Sequence, residues 1–284
     1  MNNLPVSGLS HFRTSQLTFV GMAFDLSSIN DQLHNYFDKI LVVTVPRFKE
    51  RHEKVRERLK GISFDFFNGA DKNELSESFI QENYQYDKKN SLAVRQYYPP
   101  LNSGEIACAL SHRMVYEAMI ANNWQHVLVF EDDVVPDEKN ISLLPETLRE
   151  LPADWDLFYL GYWKNDSVSL GKRLKQGWYQ LMATFGLSNM SRKMLANRLP
   201  KDFSKHLYKA GFHDCTHAYA VSLNAARKLL QAQTPVIQRA DNLLSLLVLK
   251  GEIKAFASKK FLFNQEVFHN LSERSHIREK WEKV

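Results

Sequence analysis

The run from His126 to Asp133, HVLVFEDD, constrains this chain more than any other stretch. Its four successive apolar residues, Val127, Leu128, Val129 and Phe130, lack alternation, so they read as a strand buried on both faces inside a mostly parallel sheet. Glu131, Asp132 and Asp133 follow at once, at the carboxyl end of that strand, where open α/β sheets bind their ligands. Three like charges so close repel one another, and a cation is expected among them. Hard oxygen ligands suit Mn²⁺ or Mg²⁺, which share their octahedral coordination between one or two carboxylates and substrate phosphates. The alternative is a solvated acidic turn, which the buried strand in front of it makes less attractive.

With 284 residues and 44% hydrophobic content, the chain has room for one large α/β domain and a substantial core. Two cysteines, Cys108 and Cys215, do not make a disulfide framework, and a cytoplasmic protein is the default expectation. The N-terminus shows no basic-then-apolar leader pattern, and LTFVGMAF (Leu17 to Phe24) is too short to span a bilayer. A peripheral contact at the inner face of the membrane stays open. Charge is unevenly spread: Tyr162 to Ala210 holds ten lysines and arginines against Asp166 and Asp202, so the remainder of this +5 chain is net negative. A basic block of that kind attracts anionic partners or else forms a solvated surface.

Residues 1–36 carry no clear period and are read as an arm or a short helical preface. KILVVTV from Lys39 is a second buried strand, stopped by Pro46. Phe48, His52, Val55 and Leu59 then form one apolar stripe of a charged helix that Gly61 ends, and Ile62 to Phe67 reads as a strand leading into the turn NGAD. This order predicts a right-handed βαβ unit with nucleotide-contacting loops at Thr44 to Arg51 and Asn68 to Asp71. Residues 84–101 read as a loop. Asn102 and Glu105 make a capping box for the helix SGEIACALSHRMVYEAMIA, with Ala107, Leu110, Met114 and Ala118 on one face and Cys108, Ser111 and His112 on another. DWDLFYLG, Asp154 to Gly161, is a further buried strand. In the basic block, Met190, Met194 and Leu195, then Phe203 and Leu207, suggest two short amphipathic helices. THAYAVS is expected as a strand, NAARKLLQA as a helix on Ala226, Leu229 and Leu230, Asp241 as the cap of DNLLSLLVLKG, and IKAFA as the last strand.

Several chemistries fit poorly. His213, Cys215 and His217 alternate along HDCTH, and Cys108 and His112 are four apart, but neither set has zinc-knuckle spacing. No Walker loop, GxGxxG fingerprint or G-x-S-x-G elbow occurs. Asp132 has Val134 where a phosphatase-type partner acid would stand.

Taken together, PRFKER after the first strand, LNSGEIACALSH, VLVFEDD, DLFYLG, THAYAVS and LFNQE resemble glycosyltransferase family 25, in the family's order, over roughly Lys39 to Gln265. The most specific element is GEIAC-x₂-SH ahead of a strand ending in EDD. The family includes bacterial lipooligosaccharide galactosyltransferases and the collagen galactosyltransferases. The resemblance implies an α/β, GT-A-like fold: a mostly parallel Rossmann-type sheet flanked by helices over residues 37–268. The stretch 162–210 matches no motif of the family and is read from its own composition as a basic, partly helical acceptor-side insertion, with a tail at 269–284. It implies an inverting transfer of a sugar, most often galactose, from a UDP-sugar to a glycan, as in surface-glycan or lipopolysaccharide synthesis. Glu131 and Asp133 then correspond to a DxD-like metal motif with Mn²⁺ or Mg²⁺ as cofactor. Donor contacts are expected from Thr44, Val45, Arg47, Arg51, Asn68, Gly69, Ala70, Gly104, Ser111, Glu131 and Asp132. At Thr44-Val45 family members often carry Asn-Leu.

The chemistry agrees with these residue types. Transfer passes through an oxocarbenium-like state while charge builds on the departing diphosphate, which a divalent ion at Asp133 and a bidentate Arg47 or Arg51 would offset. Inversion needs a carboxylate base on the acceptor side. Asp241, after the proline-containing loop TPVIQRA, is the choice over Asp214 and Glu266. The basic block suits an anionic or lipid-linked glycan acceptor, and no nucleic acid is expected. The rival readings are a non-catalytic nucleotide- or glycan-binding module and a metal-dependent nucleotidyltransferase.

Overall fold

A computed structural model of the protein describes residues 26–94 and 99–269. The expectations for the arm up to residue 25, including LTFVGMAF, for residues 95–98 and for the tail beyond 269 lie outside the described residues. In chain order, α1 (Ser27–Tyr36), β1 (Lys39–Thr44), α2 (Lys49–Arg58) and β2 (Asp65–Asn68) open the domain. Helices α3 (Glu77–Asn83), α4 (Lys88–Val94) and α5 (Ser103–Asn122) lead to β3 (His126–Glu131) and β4 (Val134–Pro136). Then come α6 (Leu144–Arg149), β5 (Leu157–Trp163), α7 (Leu170–Thr184), α8 (Arg192–Ala196), β6 (Lys201–Asp202) and β7 (Leu207–Lys209). Strand β8 (Asp214–Ser222), α9 (Leu223–Ala232), α10 (Ala240–Lys250), β9 (Ala255–Ser258) and β10 (Phe263–Gln265) complete it.

Eight strands form one sheet in the order β2-β1-β3-β8-β5-β9-β7-β6. Strand β1 pairs in parallel with β2 and β3, β8 lies antiparallel between β3 and β5, β9 is parallel to β5, and β7 is antiparallel to both β9 and β6. Six strands therefore run one way and only β7 and β8 the other, a mostly parallel sheet. The unalternated runs are explained by two-sided burial. Leu41, Val43, Val127 and Val129 face a core closed by Val115, Tyr116 and Met119 of α5, Ala226 and Leu229 of α9, and Leu243 to Leu247 of α10. Ile40, Val42, Leu128 and Phe130 face the opposite core, closed by Ile29 and Leu33 of α1, Val55 of α2, and Leu144 and Leu148 of α6. At about 25 cal/mol per Å² of apolar surface withheld from water, these two layers are the main source of stability.

Local expectations fail where tertiary contacts overrule the local pattern. The strand after Gly61 is Asp65–Asn68 and not Ile62 to Phe67, because Ile62 turns away to bond Leu59 and pack in the α1–α2 core. The stretch 84–101 contains α4, whose Ala93 and Val94 are core residues. Phe203 and Leu207 belong to the β6–β7 hairpin, not to a helix: Phe203 and Ser204 N–H both bond the Leu207 carbonyl, and β7 pairs with β9. IKAFA is followed by another strand, β10, which pairs antiparallel with β4 in a separate two-stranded sheet. Asp241 lies inside the first turn of α10, whose N-cap is Arg239.

The α5 capping box is present in both directions: Glu105 N–H donates to Asn102 Oδ1 at 2.9 Å, and Asn102 N–H donates to Glu105 Oε2 at 3.1 Å. Asn102→Ala removes the first of these and is expected to cost about 1 kcal/mol. Thermal denaturation should show a Tm lower by about 2–4 °C.

Candidate active site

The carboxyl ends of β2, β1 and β3 lie side by side, with Thr44 in register with Asn68 and Val43 with Glu131. The three successive carboxylates at that edge separate into two directions. Asp132 turns toward β1 and α2, accepting from Thr44 Oγ1 at 2.6 Å and pairing with Arg51. His52 Nε2 lies 3.1 Å from the same Thr44 hydroxyl. Glu131 and Asp133 turn the other way and share one donor, Gln265 Nε2, at 3.4 Å from Glu131 Oε2 and 3.1 Å from Asp133 Oδ2. Gln265 is in place because β10 pairs with β4, setting it opposite Val134.

These two groups differ electrostatically. Burial raises the Glu131 carboxyl, but the facing His112 imidazole, with Nε2 at 3.5 Å, and the Thr216 hydroxyl outweigh it and hold Glu131 below the ordinary carboxylate range. His112 is itself anchored, its Nδ1 2.8 Å from the Tyr219 hydroxyl. Asp133 goes the opposite way, pushed up to about 7 by burial and by the charge of Glu131. Among the described residues no lysine or arginine is paired with Glu131 or Asp133, so two adjacent acids with an amide between them form a donor set that a hard cation fits.

A second donor set shares Glu131. One ligand atom from each of Cys108, His112 and Glu131 lies within 4.8 Å of the others. The Cys108 thiol is pushed well up by burial and by the charges of Glu131, Asp241 and Asp133. Glu131 thus joins a sulfur and nitrogen donor set on one side and an oxygen pair with Asp133 on the other, and hard cations such as Mn²⁺ or Mg²⁺ suit the oxygen pair. Of the two HDCTH histidines, only His217 stands near this site, where it and Glu131 act on each other electrostatically. His213 Nδ1 lies 2.9 Å from the Lys164 carbonyl, and His217 is fully buried with its pKa lowered to about 4 by burial.

The loop after β2 packs directly on α5. A Cβ at Gly69 would stand 2.3 Å from Ser111 Oγ, so glycine is required there. The same hydroxyl accepts from Ala70 N–H at 3.0 Å, and Gly69 N–H donates to the Thr44 carbonyl at 2.8 Å. Gly69, Ala70 and Ser111 thus join Thr44, Arg51 and Asp132 along one edge. Asn68 ends β2 beside them, and Val45 is buried in the turn where Phe48 N–H bonds its carbonyl. Arg47 is turned to Asp71, with Nη2 3.1 Å from Oδ1. Gly104 is buried in the first turn of α5, next to the ion pair of Glu105 and Arg239.

Asp241 is half-buried and held by two backbone donors, Cys215 N–H at 3.2 Å and Asn242 N–H at 2.7 Å, one to each oxygen. Cys215 adopts the left-handed region at φ 69°, a conformation unusual for a residue other than glycine. The charges of Asp241, Glu131 and Asp133 all act on the buried thiols of both Cys108 and Cys215, which sets Asp241 in the same neighbourhood as the β3 acids. The other two base candidates are occupied: Asp214 pairs with Lys164 at 2.7 Å, and Glu266 with Arg58. Residues that sequence reasoning did not single out are Gln265 and Thr216, while Asp71, at the end of the expected Asn68 to Asp71 loop, is found paired with Arg47. Gln265 sits in the recognised LFNQE stretch, and only the β4–β10 pairing gives it a partner.

Because Asp133 holds its proton more tightly in the native state, from an ordinary value of 3.8 up to about 7, the metal-free protein loses stability as pH climbs through that window. Asp133→Asn, neutral at every pH, removes that loss. Metal-free Asp133→Asn should melt a few degrees above the parent at pH 8 and at the parent's temperature at pH 4, by scanning calorimetry in chelator.

The profile of "Glycosyltransferase family 25 (LPS biosynthesis protein)" matches residues 37–244. Among similar proteins, one from Bos taurus named probable inactive glycosyltransferase 25 family member 3 is 28% identical over 202 residues, 69% of this chain and 29% of its own. An Aedes aegypti glycosyltransferase 25 family member is 26% identical over 68% of this chain and 28% of its own. Procollagen galactosyltransferase 1-A of Xenopus laevis is 24% identical over 78% of this chain and 33% of its own. The chain therefore spans about a third or less of the length of these relatives. With the profile covering most of the chain, over the sheet and the acidic strand end described above, this protein belongs to glycosyltransferase family 25.

Proposed function

We propose that the domain transfers a sugar from a UDP-sugar to a hydroxyl of a glycan, with inversion at the anomeric carbon. The observation that carries this reading is the separation of the three acids: Glu131 and Asp133 gathered under Gln265, Asp132 clamped by Thr44 and Arg51. Glu131 and Asp133 would hold Mn²⁺ or Mg²⁺, which supplies positive charge against the donor's diphosphate. Arg51, fixed on Asp132, and the edge formed by Thr44, Asn68, Gly69, Ala70 and Ser111 would bind the nucleotide. Asp241, oriented by the Cys215 and Asn242 N–H groups, would take the proton of the acceptor hydroxyl. That oxygen bonds to the anomeric carbon as the bond to the diphosphate breaks, its electron pair leaving with UDP. Relatives named procollagen galactosyltransferases favour galactose as the sugar, and the family description favours a surface-glycan acceptor of lipopolysaccharide type.

A non-catalytic nucleotide-binding module is the second reading, favoured by relatives named inactive. Incubation with a panel of UDP-sugars, Mn²⁺ and glycan acceptors separates the two. Release of UDP supports transfer, release of pyrophosphate indicates a nucleotidyltransferase, and saturable binding without turnover indicates the module.

Two variants carry the residue assignments. Asp133→Asn should abolish the Mn²⁺-dependent part of UDP binding in calorimetry, and unchanged affinity would remove Asp133 from the site. Asp241→Asn keeps only one of the two oxygen acceptors now used, so Tm should drop slightly. Its kcat should drop by about a hundredfold or more at unchanged donor affinity, the usual scale for a lost general base. Near-parental turnover would reduce Asp241 to an orienting role.

A further inference from the structure

Helix α7 contributes no buried residue to the protein, although it is fifteen residues long. It rests on α8 through Gln176, whose side-chain amide donates to the Leu195 carbonyl, and through Tyr179 and Ala183, which touch the core from outside. Its opposite side is apolar and open to solvent. Leu170, Leu174, Trp178, Leu181 and Phe185 are 73%, 68%, 58%, 47% and 67% exposed. Those five make up half of the exposed large hydrophobic residues recorded among the described residues, and Leu187, 71% exposed, follows immediately. At roughly 100° per residue the five fall in one sector about 80° wide, with Arg173 and Lys175 about 60° beyond its two edges.

An apolar stripe of this size on a protein surface marks a contact with something else. The charges select what that is. The helix carries Lys172, Arg173 and Lys175 and no acid, and the surrounding segment from Tyr162 to Ala210 holds ten cations against two aspartates. A stripe of Leu, Trp and Phe bordered on both sides by cations matches the boundary between acyl chains and anionic headgroups, where such helices lie flat. No described helix is long and apolar enough to cross a membrane, so the contact would be peripheral. We infer that α7 is an interfacial helix that docks this domain on an anionic lipid bilayer. Strand β5, which leads into it, runs in the same direction as β3, so α7 is reached from the edge of the sheet that bears Glu131. Docking would hold that edge near the bilayer surface. The inference stands apart from the proposed transfer reaction, since no α7 residue belongs to the acidic site.

Vesicle co-sedimentation of the full chain tests it, with phosphatidylcholine alone and with phosphatidylcholine containing about 30 mol% phosphatidylglycerol. The protein should bind the anionic vesicles at least tenfold more tightly, and less so as salt is raised. The variant Leu174→Glu/Trp178→Glu/Leu181→Glu should lose binding to both vesicle types. Arg173→Glu/Lys175→Glu should lose the anionic preference while keeping its melting temperature. Failure of the parent to sediment with anionic vesicles, or binding by the stripe variant equal to the parent's, overturns the inference. So does a parent dimer in light scattering that ignores vesicles and becomes monomeric in the stripe variant, because the face would then join two copies of the chain.

Discussion

Repulsion among Glu131, Asp132 and Asp133 is the constraint on which the rest of this site depends. A strand buried on both sides cannot move its end into water, so its three acids must be accommodated where the sheet leaves them. The backbone solves half of the problem by alternating directions. Asp132 goes to a hydroxyl and a guanidinium; Glu131 and Asp133 stay together and share one amide, and burial, added to the charge of Glu131, pushes Asp133 up to about 7. Binding of a cation by that pair would be linked to release of the Asp133 proton.

The parts around this edge are coupled through short contacts. Gly69 lies close against Ser111, whose hydroxyl also fixes Ala70, so α5 sets the path of the loop after β2. Further along α5, His112 connects Tyr219 of β8 to Glu131. Strand β8 supplies Thr216 to Glu131 and, through the left-handed Cys215, an N–H to Asp241. The inverted strand β8 is therefore the piece that relates the acidic end of β3 to the first turn of α10. Strained backbone at such a junction persists only where surrounding contacts hold it.

Family membership and activity are separate matters for this chain. The acids at positions 131, 133 and 241 are present and grouped, yet several similar proteins are named inactive, and the chain spans only part of their length. If α7 docks as inferred, it would add a second requirement besides chemistry, namely delivery of the site to its acceptor. In the reading favoured here, the acidic edge performs the transfer and the basic, apolar helix determines where it happens.

Much of the fold was written in local patterns. Unalternated runs at Leu41 to Val43 and Val127 to Phe130 required two-sided burial, Asn102 and Glu105 announced the start of α5, and a strand ending in EDD located the acidic edge, because each of these signals depends on neighbours within a few residues. The inversion of β8, the hairpin at Phe203 to Leu207 and the pairing of β10 with β4 were not legible, since strand direction and partner are settled by hydrogen bonds between residues far apart in the chain. The same holds inside the site. Sequence named Glu131, Asp132 and Asp133 as a group, while their division, with Gln265 on one side and Arg51 on the other, arose only when segments more than 80 residues apart were packed together.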